Sequence, residues 1–254
     1  MKIYWEKSDG TKKAMETRDD SFSKGGRILG KIRRQLTGMI KPGLDLFEIE
    51  TAARKLITDA GAVPNFVFVD NYGFATCLMV NDEVVHCRPR HYRIAEGDLI
   101  TVDVGLEWHG WQLDTADSLL AGQPDDKFIK TGRQALNKAI MAVKPGNRIG
   151  NISKIIQEIL EKNSYSAVRQ YCGHGLGKQI HEDPQIPCYL EESVVNTPLI
   201  KPGMTLAVEV MMNEGGYKVV LDKDGWRSRT ADGSRSAQFE HSILVTTSGP
   251  KILT

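Results

Sequence analysis

The 254 residues include 33 Lys or Arg and 32 Asp or Glu, a formal net charge of +1. That balance removes the electrostatic case for a nucleic-acid binder, which needs a basic excess or stripe. At 41% hydrophobic and 26% charged the composition is ordinary for a soluble globular chain, and no apolar run approaches the ~18 residues of a membrane span.

The charged residues of positions 1–20 precede any apolar stretch, so no secretory leader is expected. Residues 23–40 and 44–60 read as amphipathic helices; the second places Leu46, Ile49, Ala53, Leu56 and Ile57 on one face and stops at Gly61 and Pro64. Residues 65–69, 75–80 and 99–106 read as strands, 127–143 and 149–161 as helices, and 205–211 and 238–247 as strands. Cys77, Cys87, Cys172 and Cys188 lie apart without CxxC spacing, which implies reduced thiols and a cytoplasmic location. With no low-complexity segment or linker, one domain spanning residues 1–254 is expected.

The chain echoes itself. Lys41-Pro42-Gly43 opens one helix and Lys144-Pro145-Gly146 opens another. Gly97-Asp98-Leu99-Ile100-Thr101-Val102-Asp103-Val104 aligns with Gly203-Met204-Thr205-Leu206-Ala207-Val208-Glu209-Val210, which puts an acidic residue at the same point of a strand in both halves. These matches imply two helix-helix-strand units, roughly residues 24–120 and 127–247, related by a pseudo-twofold axis with the acidic strands meeting near it.

In residues 99–104, Ile100, Val102 and Val104 share one strand face and Leu99, Thr101 and Asp103 the other. Glu209 interrupts an apolar run in the same way. Glu240 stands on the face opposite Phe239, Ile243 and Val245, and Asp114 follows Asp103 at a distance that suits the far side of a hairpin. Carboxylates are poor strand formers and costly to bury. Each alone reads as a solvated residue or the partner of a basic side chain. Four together repel unless protons or cations intervene, and a divalent metal is the simplest cation.

An imidazole is available at His174, between glycines in Cys172-Gly173-His174-Gly175-Leu176-Gly177, with His181-Glu182-Asp183-Pro184 following. No HExxH is present and no helix opens after these glycines, so neither a helical zinc-protease site nor a phosphate loop is supported. His91, His109 and His241 read as structural. Four carboxylates and an imidazole form a hard donor set that suits Mn, Fe(II) or Co, and zinc can occupy it. The carboxylates suffice for two ions roughly 3.5–4 Å apart, and metal-assisted hydrolysis is the reaction class they best support.

Several runs together resemble the type I methionine aminopeptidases of the pita-bread (creatinase/aminopeptidase) metallopeptidase superfamily. They are Asn81-Asp82-Glu83-Val84-Val85-His86, Val102-Asp103-Val104, Leu113-Asp114-Thr115, Gly173-His174-Gly175-Leu176-Gly177, His181-Glu182-Asp183-Pro184-Gln185, the run from Met204 to Glu209, and Ser236-Ala237-Gln238-Phe239-Glu240-His241. The likeness extends from about Lys24 to Thr254. It implies an α+β fold with the duplicated units around a curved antiparallel sheet, and two divalent ions (Co, Mn, Fe(II), Zn or Ni, with Mn or Fe(II) favoured in the cell). By the resemblance, Asp103 chelates one ion, His174 and Glu209 bind the other, and Asp114 and Glu240 bridge. It further implies that Glu209 takes a proton from the attacking water and that His86 and His181 contact the substrate. Tyr72, Cys77 and Trp226 fit positions of its side-chain pocket. The implied substrate is the N-terminal methionine of nascent chains or peptides with a small second residue. The implied enzyme is a monomer with transient ribosome contact and neither nucleic-acid nor membrane partners.

The chain departs from that pattern at Cys87-Arg88-Pro89 after His86, at Trp111-Gln112-Leu113 before Asp114, at Val210 after Glu209 and at Ile180 before His181. None of these removes a ligand. Two other functions share the ligand pattern or the fold: a Xaa-Pro aminopeptidase or dipeptidase, which usually carries a large extra N-terminal domain, and a catalytically silent interaction module, which usually loses ligands.

Overall fold

The computed structural model describes residues 17–254 together with the backbone of two short strands before them, β1 (Tyr4–Glu6) and β2 (Lys12–Ala14), which pair antiparallel. The first half then runs α1 (Arg18–Met39), α2 (Leu46–Asp59), β3 (Thr76–Val80), β4 (Leu99–Trp108) and β5 (Trp111–Leu120). The second half runs α3 (Lys127–Met141), α4 (Ile149–Lys162), β6 (Ser166–Ala167), β7 (Cys172–Gly175), β8 (Glu182–Pro187) and β9 (Thr205–Asn213). It ends with β10 (Val219–Leu221), β11 (Ser228–Thr230), β12 (Ser236–Thr246) and β13 (Gly249–Ile252). No helix among the described residues is long and apolar enough to cross a membrane.

The helices fall where the apolar periodicity puts them, with ends set by caps. Helix α1 starts at Arg18 rather than Ser23 because the Thr17 hydroxyl accepts from the Asp20 N–H, and Asp19 and Asp20 complement the helix dipole. Asp45 and Glu48 form a reciprocal capping box on α2, and the Asp126 carboxylate caps α3. Each Lys-Pro-Gly is a turn that needs a left-handed third residue: φ is +88° at Gly43, +89° at Gly146 and +86° at Gly203. Residues 65–69 are not a strand. Phe66–Phe68 is a 3-10 turn, because Asn65 donates to Gln112 Oε1 (3.0 Å) and to the Leu113 carbonyl (3.3 Å), which bends the chain away after a single bridge between Val63 and Glu107.

Besides the two-stranded β1-β2 and β10-β11 ribbons, the strands form two larger antiparallel sheets. One has the order β3-β4-β5; the other has the order β13-β12-β9-β7-β8, with β6 also pairing with β9. Two apolar clusters back them. One gathers α1, α2 and the buried faces of β3, β4 and β5; the other gathers α3, α4, β9 and β12. Glycines let the helices lie close: a Cβ on Gly25 would come within 2.5 Å of Leu113, and one on Gly132 within 2.1 Å of Phe239.

Strands β5 and β12 meet along a seam that side chains close in place of a backbone ladder. Ser118 Oγ accepts from the Gln238 N–H (3.0 Å) and donates to its carbonyl (2.8 Å). Ser242 Oγ does the same for Asp114 (3.0 and 2.6 Å), and Thr115 Oγ1 donates to the Glu240 carbonyl (2.8 Å). The hydroxyls satisfy buried backbone groups that have no strand partner there, and they hold Asp114 and Glu240 side by side.

Candidate metal centre

Four strands aim a carboxylate at one cavity of about 270 Å³. Asp103 comes from β4, Asp114 from β5, Glu209 from β9 and Glu240 from β12, each at most 6% exposed. The alternation that hides Ile100, Val102 and Val104 under α1 and α2 turns Asp103 to the other face. His174, on β7 and 7% exposed, adds the imidazole, its Nδ1 facing the Gly175 carbonyl at 3.0 Å. Ligand atoms of Asp114, His174 and Glu240 all lie within 4.8 Å of one another. Asp103 and Glu209 line the same cavity.

Burial dominates the electrostatics. It pushes the Asp114 carboxyl up to about 7 and that of Glu209 to about 8, the charge of Asp114 adding to the latter. Asp103 and Glu240 are driven well above the ordinary carboxylate range, by burial first and by their neighbouring carboxylates second. Burial and the nearby His181 ring lower His174 to about 4, so it is a neutral nitrogen donor at pH 7. Without a cation such a cluster must hold protons. Asp103 Oδ1 and Glu240 Oε1 are buried and have no hydrogen-bond partner among the described residues, as expected of metal-ligating atoms. Hard oxygen donors, one neutral imidazole and two orphaned carboxylate oxygens fit a divalent cation.

Next to the carboxylates stands a small apolar cluster with Phe66, Tyr72, Cys77, Met79 and Cys87 at its core and Ile180 and Trp226 packed against it. Tyr72, Cys77 and Trp226, singled out from the sequence, all line the cavity. Cys77 pairs with Asp103 across β3 and β4, and burial raises its thiol pKa far above the usual value. Tyr72 is pinned by donating to the Thr76 carbonyl (2.8 Å), and its ring meets Trp226 edge-on at 4.9 Å.

His86 and His181 also line the cavity. The ring of His86 lies edge-on to Tyr171 at 5.2 Å, and burial lowers its pKa to about 4. Its backbone is left-handed, φ +59°, a conformation that costs energy in a non-glycine residue and recurs at active sites. The ring of His181 lies 4.5 Å from that of His174, at the exposed rim.

Gln238 was not foreseen as a site residue. It lies two residues before Glu240 on the same strand face, and its Nε2 donates to Glu209 Oε2 at 3.1 Å. Period-two alternation could have found it. Tyr171 and the hydroxyls of Thr115, Ser118 and Ser242 carry no such signal, since their partners come from distant strands.

Comparison with known proteins agrees with this geometry. The chain is 38% identical over 232 residues to methionine aminopeptidase 1 of Bacillus subtilis, covering 90% of this chain and 93% of that one. It is 35% identical to a methionine aminopeptidase of Aquifex aeolicus, covering 92% and 95%. The crystal structure of the Thermotoga maritima methionine aminopeptidase superimposes with a TM-score of 0.89 at 38% identity over 94% of this chain and 98% of that one. The Pyrococcus furiosus prolidase shares the fold, with a TM-score of 0.74 at 22% identity over 94% and 64%. Residues 20–247 match metallopeptidase family M24, and on fold, donor set and sequence together the chain belongs to that family.

Proposed function

We propose that this chain is a dinuclear metal-dependent aminopeptidase that removes the N-terminal methionine of nascent proteins and peptides, with a preference for a small second residue. The observation that carries the reading is the convergence of Asp103, Asp114, His174, Glu209 and Glu240 beside a side-chain-sized apolar recess. Asp114 and Glu240 would bridge the two cations, Asp103 would complete one site, and His174 with Glu209 the other. Bound divalent cations supply the Lewis acidity that makes water a nucleophile at neutral pH and polarises the scissile carbonyl.

The remaining steps belong to the protein. Gln238 fixes one oxygen of Glu209, so that carboxylate is oriented to take the proton of the attacking water. His86 and His181 flank the space beside the carboxylates and would stabilise the developing oxyanion and the leaving amine. Tyr72, Cys77 and Trp226 form the wall for the first side chain. A flexible thioether suits a recess edged by two aromatic rings, since sulfur–aromatic contacts are favourable. The identity with methionine aminopeptidases over nearly the full length of both partners supports methionine, whereas the likeness to prolidases is one of fold. Mn or Fe(II) as the cellular metal, a cytoplasmic monomer that meets chains at the ribosome, and a single domain with its repeat at residues 24–120 and 127–247 complete the reading.

The test uses metal-stripped protein titrated with Mn or Co and offered Met-Ala-Ser or a peptide with proline in second place. Methionine release that rises with added metal is expected. Cleavage confined to the proline peptide would assign the Xaa-Pro activity instead. No cleavage of either by metal-loaded protein would leave a silent binding module.

A further inference from the structure

Trp226 lies in the turn between β10 and β11, and its backbone is tethered on both sides. Asp224 Oδ1 accepts from the N–H groups of Trp226 (3.0 Å) and Arg227 (2.9 Å). The Arg227 guanidinium reaches Glu83 at 3.2 Å. Glu83, 4% exposed, also holds Arg90 at 2.9 Å and accepts from the Val80 N–H at 2.8 Å, which ties the turn to the end of β3. Among the described residues nothing hydrogen-bonds the indole, the bond of Trp226 being made by its backbone N–H. Tyr72 meets the ring edge-on at 4.9 Å, and the guanidinium of Arg88 lies over it with Cζ 5.1 Å from the ring centroid.

Arg88 stands two residues after His86, within Cys87-Arg88-Pro89, where the chain departs from the pattern it otherwise resembles. Its Nε is buried and has no hydrogen-bond partner among the described residues, so no acceptor there positions that end of the guanidinium. The indole face is what a planar cation gains there. Pro89 follows directly and restricts the backbone of Arg88, which limits the directions its stem can take.

We propose that Arg88 is a positioning residue: with Tyr72 it fixes the Trp226 indole as the wall of the substrate side-chain recess, and so sets which N-terminal side chains are admitted. This rests on the aminopeptidase reading of the cavity. Arg88 acts through the ring, outside the carboxylate cluster, so its removal alters the fit of the first side chain and leaves the hydrolytic groups in place.

The test compares wild type, Arg88→Ala and Arg88→Lys as Mn-loaded full-length protein on Met-Ala-Ser and Leu-Ala-Ser. Arg88→Ala should raise KM for Met-Ala-Ser about two- to tenfold, the range that a cation–π contact converts to, with kcat within about twofold of wild type. It should also shrink the preference for methionine over leucine by a similar factor. Arg88→Lys, which keeps a cation without the planar face, should recover part of both. A readout independent of turnover is acrylamide quenching of the Trp226 emission, isolated by difference against Trp226→Phe. Arg88→Ala should increase that quenching, and Arg88→Lys should increase it less. Unchanged quenching, a fall in kcat at constant KM, or unchanged selectivity despite increased quenching would each overturn the proposal. Absence of methionine release by wild type would defeat the aminopeptidase reading instead, while the quenching still decides whether Arg88 holds the ring.

Discussion

On β4 and β5 the two cavity-facing aspartates are staggered: Asp103 pairs with Ala116, and Asp114 with Gly105. On β9 and β12 the two glutamates, Glu209 and Glu240, stand directly opposite each other. Like charges directly opposite in a ladder are destabilising, and a small residue across the ladder relieves that strain in the first half. The second half has longer stems and the amide of Gln238 on one glutamate oxygen. The first half therefore presents short carboxylates spaced apart, and the second long carboxylates side by side. What brings the four together is the seam of Thr115, Ser118 and Ser242, which neither half supplies alone. The site thus belongs to the junction, and among the described residues each half leaves a buried carboxylate oxygen without a partner, on Asp103 and on Glu240.

The most drastic way to break this balance is to remove one donor from either half. Asp103→Asn or His174→Ala should lower methionine release from Met-Ala-Ser by more than about 100-fold, beyond the loss typical of groups that only support a ligand. Turnover within twofold of wild type in either variant would contradict the ligand assignment. His181→Ala should lower turnover by about 100-fold, as expected for a lost oxyanion donor, while metal content measured by mass spectrometry stays at the wild-type level. If that variant loses metal, His181 is a ligand and not a substrate contact.

Removing the cation sharpens the comparison through pH. Asp114 and Glu209 have folded-state pKa values near 7 and 8, above their ordinary values. The metal-free folded state therefore binds more protons than the unfolded chain. The stability from those groups is fully present below the usual carboxylate pKa and is lost as pH rises through 7 to 8. His86, His174 and His241 are depressed to about 4 and act in the opposite sense, costing stability as pH falls from about 6.5 toward 4. The unfolded histidines lose their remaining charge between about pH 6.5 and 7.5 and offset part of the decline there, and above that the carboxylates alone act. Urea unfolding of metal-free protein should show stability falling between pH 6.5 and 8.5, on the order of a few kcal/mol, and saturating Mn should abolish the decline. A flat metal-free profile would mean that the carboxylates are hydrated or farther apart. The smallest effect is expected at the seam. Ser118→Ala leaves the buried Gln238 N–H and carbonyl without partners and should cost about 1–3 kcal/mol in the same assay, and a loss below a few tenths would show that water replaces the hydroxyl.

The sequence reveals the two halves more readily than their junction. The four helices and the acidic strands follow from apolar periodicity, and Asp103, Glu209 and Glu240 are conspicuous because each interrupts a buried run. Residues 65–69 misled because a short apolar run reads alike as a strand or a buried turn until the hydrogen bonds of Asn65 are known. Strands β7 and β8 are rich in glycine and proline and leave little pattern. Tyr72, Cys77 and Trp226 come from three separate segments, so only the resemblance to known enzymes pointed to them. Gln238 was legible in principle from its spacing to Glu240, whereas Ser118 and Ser242 look like any strand hydroxyl until the facing strand is in place.

The most direct test of a site shared between the halves is the number of divalent ions bound. Equilibrium dialysis of metal-stripped wild type against Mn should reach about two per chain. Asp114→Asn from the first half and Glu240→Gln from the second should each bring occupancy at the same free Mn to below one. Two ions retained in either variant, or a wild type that saturates at one, would contradict a centre bridged from both sides of the seam.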